Sequence, residues 1–236
     1  PCWLLERLTG LGENDERIRQ LAAGDLIYAG DIKGTLQFKH GITRDTIYAA
    51  VGLKRRRALH NRIAEILEQL GEQAEPGVPG GLEEHFESLA YHYAGGASHR
   101  KALQYAELAG DKALASSSLD RARQQYEAAM HAIDQLPPTP ELRRRWISIS
   151  ERWALPCVYG PQTDQLATLQ RTVNYAIELD DLDGLAHAYY WQGYISYVLG
   201  DQPASIAFYD RALLTAQEAG NNRLTVQIIA TLGQSH

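Results

Sequence analysis

Cysteines and long apolar runs are both scarce in this chain. Its 236 residues contain two cysteines, Cys2 and Cys157, and neither lies in a metal-ligand pattern. A disulfide framework and a zinc site are therefore not indicated. No window approaches the roughly 20 consecutive apolar residues that a membrane-spanning helix needs, and the start at Pro1 carries no signal-peptide pattern. We expect a cytoplasmic protein without a membrane partner.

Sequence patterns of catalysis are missing as well. No Gly-x4-Gly-Lys-Ser/Thr loop is present to hold phosphates, no His-Glu-x-x-His occurs, and the eight histidines are scattered. Because no nucleophile, base and metal can be assembled, we predict that this chain is not an enzyme and holds no cofactor or metal itself. The absence of an initiator Met and an end at His236 inside a helical pattern suggest a piece of a longer protein.

The formal charge of −6 is distributed unevenly. Residues 1–72 carry 11 Lys and Arg against 10 Asp and Glu, whereas the remainder carries 12 against 19. The acidic remainder would repel nucleic acid, so nucleic acid is not an expected partner. The one basic cluster near the first segment, Lys54 to Arg57 with Arg62, could face DNA phosphates or an acidic domain, or could simply be a solvated helix start.

Residues 1–72 read as a small winged-helix-like segment. Helical spacing predicts a helix from Asn14 to Ala23, which Gly24 should end. Alternating apolar residues on both sides of a glycine-containing turn then predict a β-hairpin through Tyr28 and Phe38. Two further helices should follow, the second with an apolar face built from Leu59, Ile63, Ile66, Leu67 and Leu70.

A glycine- and proline-rich stretch at residues 73–81 is the best candidate linker. Beyond it, residues 82–236 read as helices joined by short polar turns. Thr139 before Pro140 predicts a capped helix start, and Ser117 with Asp120 predicts a capping box.

An internal repeat determines the predicted architecture of residues 82–236. Counted from Gly193, small or aromatic residues occur at fixed offsets, and the same offsets from Gly110 select residues of the same size. The two sets are Tyr189, Gly200, Ser205, Tyr209 and Ala212, and Ala106, Ser117, Ala122, Tyr126 and Ala129. A looser middle copy runs through Trp153, Gly160, Leu169, Val173 and Ala176. This approximates the TPR period of about 34 residues and predicts an all-α solenoid of TPR-like helical hairpins, truncated at the C-terminus.

The stretch Phe38-Lys39-His40-Gly41-Ile42-Thr43-Arg44-Asp45, followed by Tyr48 and by Arg55, Arg56, Arg57, Leu59 and His60, carries a family resemblance. It resembles the junction between winged helix and TPR repeats in bacterial STAND-type signalling ATPases, as found behind class III adenylate or guanylate cyclase domains and in MalT-like regulators. The resemblance implies an upstream ATPase domain in the parent protein that would bind ATP or ADP. It also implies that His40 contacts a nucleotide phosphate, although a histidine that merely packs at the hairpin end is the alternative.

A stripe of aromatic residues suggests where a partner would bind. His187, Tyr190, Tyr194 and Tyr197 advance by three or four residues along one helix face, which in TPR-like stacks is the concave one. Equivalent positions in the earlier hairpins are Gln104, Glu107 and Asp111, then Ser150 and Cys157. The predicted groove grades from acidic to aromatic and suits a basic or aromatic-rich ligand, unless the tyrosines merely pack against a neighbouring repeat.

These observations favour a regulatory module of a multidomain signalling protein. Its repeats would bind a protein or peptide partner, or other domains of the same chain, and its winged helix would relay the result. The alternative is a transcription regulator whose winged helix binds DNA, but the expected recognition helix carries Asp15 and Glu16 against Arg17 and Arg19 and gains no net positive charge.

Overall fold

The computed structural model describes residues 1–73 and 81–235, and side chains as far as Leu232. The described residues form twelve α-helices, one short 3-10 helix and a two-stranded sheet, so the predicted all-α class is confirmed. The chain divides into two compact units, Pro1–Ala102 and Leu103–His236, which we call the N-terminal and C-terminal units.

The N-terminal unit contains the predicted hairpin. Its elements in chain order are α1 (Cys2–Thr9), α2 (Glu16–Ala23), β1 (Ile27–Ala29), β2 (Leu36–Phe38), α3 (Gly41–Ala50), α4 (Leu53–Gln73), the 3-10 helix (Leu82–His85) and α5 (Phe86–Gly95). The strands are antiparallel, with Tyr28 opposite Gln37, and the Tyr28 hydroxyl donates to Gln37 Oε1 at 2.8 Å. Gly24 ends α2 as expected.

The core of the N-terminal unit is built around α4. This helix packs against α1, the 3-10 helix and α5, and it buries Ala64, Ile66 and Leu67 on one face. The start of the unit is different: from Arg19 to Leu59, a stretch that the structure describes in full, no residue is buried. Ile42 keeps 83% and Ile32 keeps 73% of its surface exposed. The hairpin and α3 therefore have no core of their own.

The linker predicted at residues 73–81 lies almost entirely outside the described residues. The helix before it ends at Gln73, and the described chain resumes at Gly81, followed by Leu82 at the start of the 3-10 helix. Gly71 lies directly against Leu82, because a Cβ on Gly71 would stand 2.5 Å from the Leu82 Cα. Contact clustering instead divides the chain between Ala102 and Leu103. The predicted boundary at 73–81 stays a prediction.

The C-terminal unit is a series of helices, most of which pack against the next helix in the chain. They are α6 (His99–Ala115), whose first residues belong to the N-terminal unit, α7 (Leu119–Asp134), α8 (Pro140–Cys157), α9 (Thr163–Glu178), α10 (Leu182–Val198), α11 (Gln202–Glu218) and α12 (Asn222–Ser235). The most extensive contact joins α10 and α11, and α10 also packs against α9 and α8. The two helices of a pair therefore contact each other and also contact the next pair.

The glycines that anchor the predicted repeat mark points of closest helix approach. A Cβ on Gly193 would lie 2.8 Å from Tyr209 Cδ1, and a Cβ on Gly110 would lie 2.6 Å from Tyr126 Cε1. Both tyrosines are completely buried. Each pair joins the first helix of a hairpin to the second, so the small-and-large complementarity seen in the sequence is a real packing contact.

Six of the described helices end in the same kind of turn. One residue has a positive φ, and the next residue's N–H bonds to the carbonyl five positions earlier, which is the Schellman arrangement that satisfies the last helical carbonyls. The positive-φ residues are Asp25, Ala97, Ser117, Asp180, Gly200 and Gly220, with φ from 52° to 85°. Only two of the six are glycine, so composition alone does not mark these turns.

The predicted helix caps had mixed outcomes. Thr139 caps α8 as expected, its hydroxyl accepting from the Leu142 N–H at 3.2 Å. The capping box at Ser117 is wrong, because Ser117 is the positive-φ turn residue. Ser118 is the N-cap of α7, which begins at Leu119, and its side chain makes no cap hydrogen bond.

Candidate functional site

A groove of about 680 Å³ in the C-terminal unit is the best candidate for a binding site. Every second helix contributes to it: α6, α8, α10 and α12, which are the first helices of successive hairpins. The lining residues are Leu114, Ser148, Glu151, Arg152, Leu155, His187, Tyr190, Trp191, Asn221, Arg223, Leu224 and Gln227. Apolar and aromatic side chains with a few charged groups are the usual lining of a ligand site.

The aromatic stripe predicted on α10 lies only partly in this groove. His187 and Tyr190 line it, although Tyr190 is mostly buried and packs against Tyr209 with ring centroids 5.8 Å apart. Tyr194 and Tyr197 do not line it. Tyr194 instead packs edge-on against Trp191 at 5.9 Å, and Tyr197 is exposed close to the end of α10.

The acidic positions predicted on α6 are neutralised by arginines. Glu107 accepts from Arg145 Nε at 2.7 Å and pairs with Arg152, which also donates to Asp111 at 2.5 Å. Burial alone would raise the pKa of Glu107, but the hydrogen bonds from both arginines outweigh it and hold that pKa below its ordinary value. Gln104 on the same helix is exposed and lines no part of the groove.

The positions carried over to α8 were assigned to the wrong face. Ser150 is buried, donates to the Ile147 carbonyl at 2.9 Å and accepts from Thr172 at 3.0 Å. Cys157 is fully buried, which raises the pKa of its thiol to about 12 and makes it inert. Both side chains belong to the core between helices and do not reach the groove.

Sequence reasoning missed the most informative lining residues. Glu151, Arg152 and Leu155 form the groove face of α8, and Trp191 and Arg223 come from α10 and α12. In the run Arg143 to Arg145 only Arg144 is exposed, since Arg143 pairs with Glu178 and Arg145 with Glu107, each at 2.7 Å. The spacing of 148, 151, 152 and 155 is a helical face that could have been found in the sequence.

His40 and the basic run lie in the N-terminal unit. His40 is exposed and stands at the N-cap of α3, where its carbonyl accepts from the Arg44 N–H. Lys54, Arg55 and Arg57 are exposed at the start of α4, as a solvated helix start would be. Arg56 instead lies over the Tyr48 ring at 5.1 Å.

A pair of histidines joins three helices of the N-terminal unit. His60 Nδ1 on α4 lies 3.1 Å from His92 Nδ1 on α5, and His60 Nε2 lies 2.8 Å from the Tyr48 hydroxyl on α3. Only one of the two facing nitrogens can carry a proton, because two N–H groups would repel each other. Burial, with Arg56 nearby, lowers the pKa of His60, and burial together with His60 lowers the pKa of His92 to about 4.

Acid should therefore destabilise the N-terminal unit. The unfolded chain takes up a proton at His92 near pH 6.5, whereas the folded chain takes up that proton only at about pH 4. The stabilisation is complete above pH 6.5 and is lost as the pH falls from 6.5 to 4, by about 1–2 kcal/mol after allowance for the partly exposed ring. Urea unfolding at several pH values should show this slope, which His92→Gln should reduce and His40→Gln should keep. An unchanged slope in His92→Gln would contradict it.

Comparison with known proteins gives no family assignment: no protein-family model matches the chain, and no curated protein matches it. Within residues 1–73 and 81–235, no group of three or more His, Cys, Asp or Glu side chains is placed to hold a metal ion. No helix in that part of the chain is both long and apolar enough to cross a bilayer.

Proposed function

We propose that this chain is a regulatory protein-interaction module of a multidomain signalling protein of the STAND ATPase or nucleotidyl cyclase type. In this proposal, TPR-like hairpins of the C-terminal unit bind a protein or peptide partner in the groove. The winged-helix-like segment of the N-terminal unit relays that event to an ATPase domain of the same protein, where His40 senses the nucleotide.

The observation that carries the proposal is the groove itself. Its lining comes from alternate helices and combines Tyr190, Trp191 and Leu155 with a few charged groups. Packing of α10 against both α8 and α9 supports a TPR-like stack, in which first helices line the inner face. Large aromatic side chains in such a position often dominate the binding energy of peptides.

Two features of the N-terminal unit support the relay. The stretch from Arg19 to Leu59 buries none of its residues, and its exposed apolar side chains suit a surface that another domain covers. The hydrogen bonds between Tyr48 and His60 and between His60 and His92 link α3, α4 and α5. A movement of α3 would therefore be transmitted to α5.

A peptide-display selection against the immobilised chain tests the proposed function. Selected peptides should bind the wild type, and Trp191→Leu or Leu155→Ser should weaken that binding about tenfold or more, because both remove apolar contact from the groove. Leu214→Ala is the matched control, since Leu214 is exposed on α11, which contributes nothing to the groove. Thermal melts of each variant verify folding. If no peptide is selected, or if Trp191→Leu and Leu155→Ser leave the peptide affinity unchanged, the groove is not the interaction site.

A further inference from the structure

One wall of the groove holds a carboxylate beside a histidine ring. His187 Nδ1 lies 2.9 Å from the Asp183 carbonyl, and because a carbonyl only accepts, Nδ1 must carry a proton. The other ring nitrogen, Nε2, lies 3.4 Å from Glu151 Oε1. A carboxylate only accepts, and its two oxygens can accept from more than one donor. Glu151 is therefore complementary to a further donor, ideally a positively charged one.

The charges around this wall favour a cation. Arg152 cannot supply it, because its guanidinium already donates to Glu107, Asp111 and the Ser148 carbonyl. The Glu151 carboxylate, whose side chain is 46% exposed, pairs with no lysine or arginine among the described side chains. Asp183, on the same helix as His187, adds a second negative charge 3.7 Å from His187 Nδ1.

Aromatic faces border the same wall. Trp191 follows His187 by one helical turn and packs edge-on against Tyr190, with centroids 5.2 Å apart, which leaves part of the indole exposed. An ammonium or guanidinium group is attracted to such a ring face. The apolar neighbours Leu155 and Leu224 complete a surface for a large apolar side chain. Arg223 on α12 is the opposing feature, since its charge would repel a ligand cation from that side.

We propose that the groove binds a peptide segment that presents a lysine or arginine next to a large apolar residue. The cation lies beside the Glu151 carboxylate, and the apolar side chain packs on Leu155 and Trp191. This inference rests on the proposed function and specifies the ligand class of the same groove.

Three labelled synthetic decapeptides test the ligand class by fluorescence anisotropy. The first alternates lysine with leucine, the second replaces each lysine with glutamate, and the third replaces each leucine with serine. The full chain should bind the first peptide at least tenfold more tightly than either of the others, because only that peptide offers both the cation and the apolar group.

Two single substitutions should then shift this binding in opposite directions. Glu151→Gln should weaken the lysine–leucine peptide about fivefold, whereas Arg223→Gln should strengthen it about twofold to threefold, as expected for partly exposed charges. Both effects should shrink at high salt. Glu218→Gln removes an exposed carboxylate on α11, outside the groove, and should change nothing.

The outcomes separate the ligand class from the function. If the glutamate–leucine peptide binds best and Leu155→Ser still weakens it, the groove is a peptide site and the cation assignment is wrong. The same conclusion follows if Glu151→Gln has no effect on the lysine–leucine peptide. If none of the peptides binds, and display selection also yields none that depend on Trp191, both the ligand class and the proposed function fail.

Discussion

Replacing Gly193 by alanine should lower the free energy of unfolding of the C-terminal unit by about 3 kcal/mol, although alanine is the better helix former by about 1 kcal/mol. The new Cβ would lie 2.8 Å from the Tyr209 ring. That ring is fully buried and also packs against the ring of Tyr190. A ring enclosed in this way has nowhere to move, so α10 and α11 must separate. Urea unfolding measures the loss.

A double-mutant cycle identifies the cause. Tyr209→Leu should relieve the clash, so Gly193→Ala with Tyr209→Leu should cost at least 1 kcal/mol less than the sum of the single variants. The buried Tyr209 hydroxyl has no described hydrogen-bond partner, so its removal breaks no described bond. Gly160→Ala is the control, because a Cβ there meets nothing within 4 Å. Additive costs would show that Gly193 does not act through Tyr209.

The same complementarity explains how much of the fold could be predicted. A small residue is needed where a large side chain of the neighbouring helix packs, so residue size at fixed offsets in the sequence marks a helix crossing. This signal identified both Gly193 with Tyr209 and Gly110 with Tyr126. The middle copy departs from this pattern, because both Trp153 and Leu169 are large and both are buried.

Turns and faces were harder to predict for physical reasons. Ser117 and Ser118 are adjacent and chemically identical, and only the backbone conformation decides which one turns and which one caps. Offsets copied from α10 to α8 fall on Ser150 and Cys157, which are buried between helices. The groove face of α8 therefore passes through Glu151 and Leu155 instead.

The groove also depends on contacts that no local pattern contains. Arg152 pairs with Glu107 and Asp111 across more than 40 positions of the chain. Sequence reasoning gave those two carboxylates to the ligand, whereas the fold uses them internally. What remains for a ligand is Glu151 with His187, a pair that becomes visible only when α8 and α10 lie side by side.

Loss of the ion pairs of Arg152 with Glu107 and Asp111 should have the second large effect on stability. Arg152→Leu should lower the free energy of unfolding of the C-terminal unit by about 2–3 kcal/mol near neutral pH. The substitution leaves Glu107, whose side chain is 18% exposed, with Arg145 alone, and it leaves Asp111 with only the Tyr126 hydroxyl at 2.8 Å. A half-buried carboxylate that loses a partner carries an uncompensated desolvation cost, although residual exposure keeps it below that of a fully buried pair.

The pH dependence distinguishes lost charge pairing from lost packing. Because the folded pKa of Glu107 is held below its ordinary 4.5, its contribution is present above pH 4.5 and is lost as the pH falls through the folded value. The difference between wild type and Arg152→Leu should therefore shrink below pH 4.5, and adding Glu107→Gln should recover about 1 kcal/mol at pH 7. Arg144→Leu, an exposed arginine on the same helix, should cost less than about 0.5 kcal/mol. The opposite result is an equal cost of Arg152→Leu at pH 3.5 and pH 7, with no recovery in the double variant. It would show that Arg152 stabilises the unit through packing of its aliphatic stem and not through its charge.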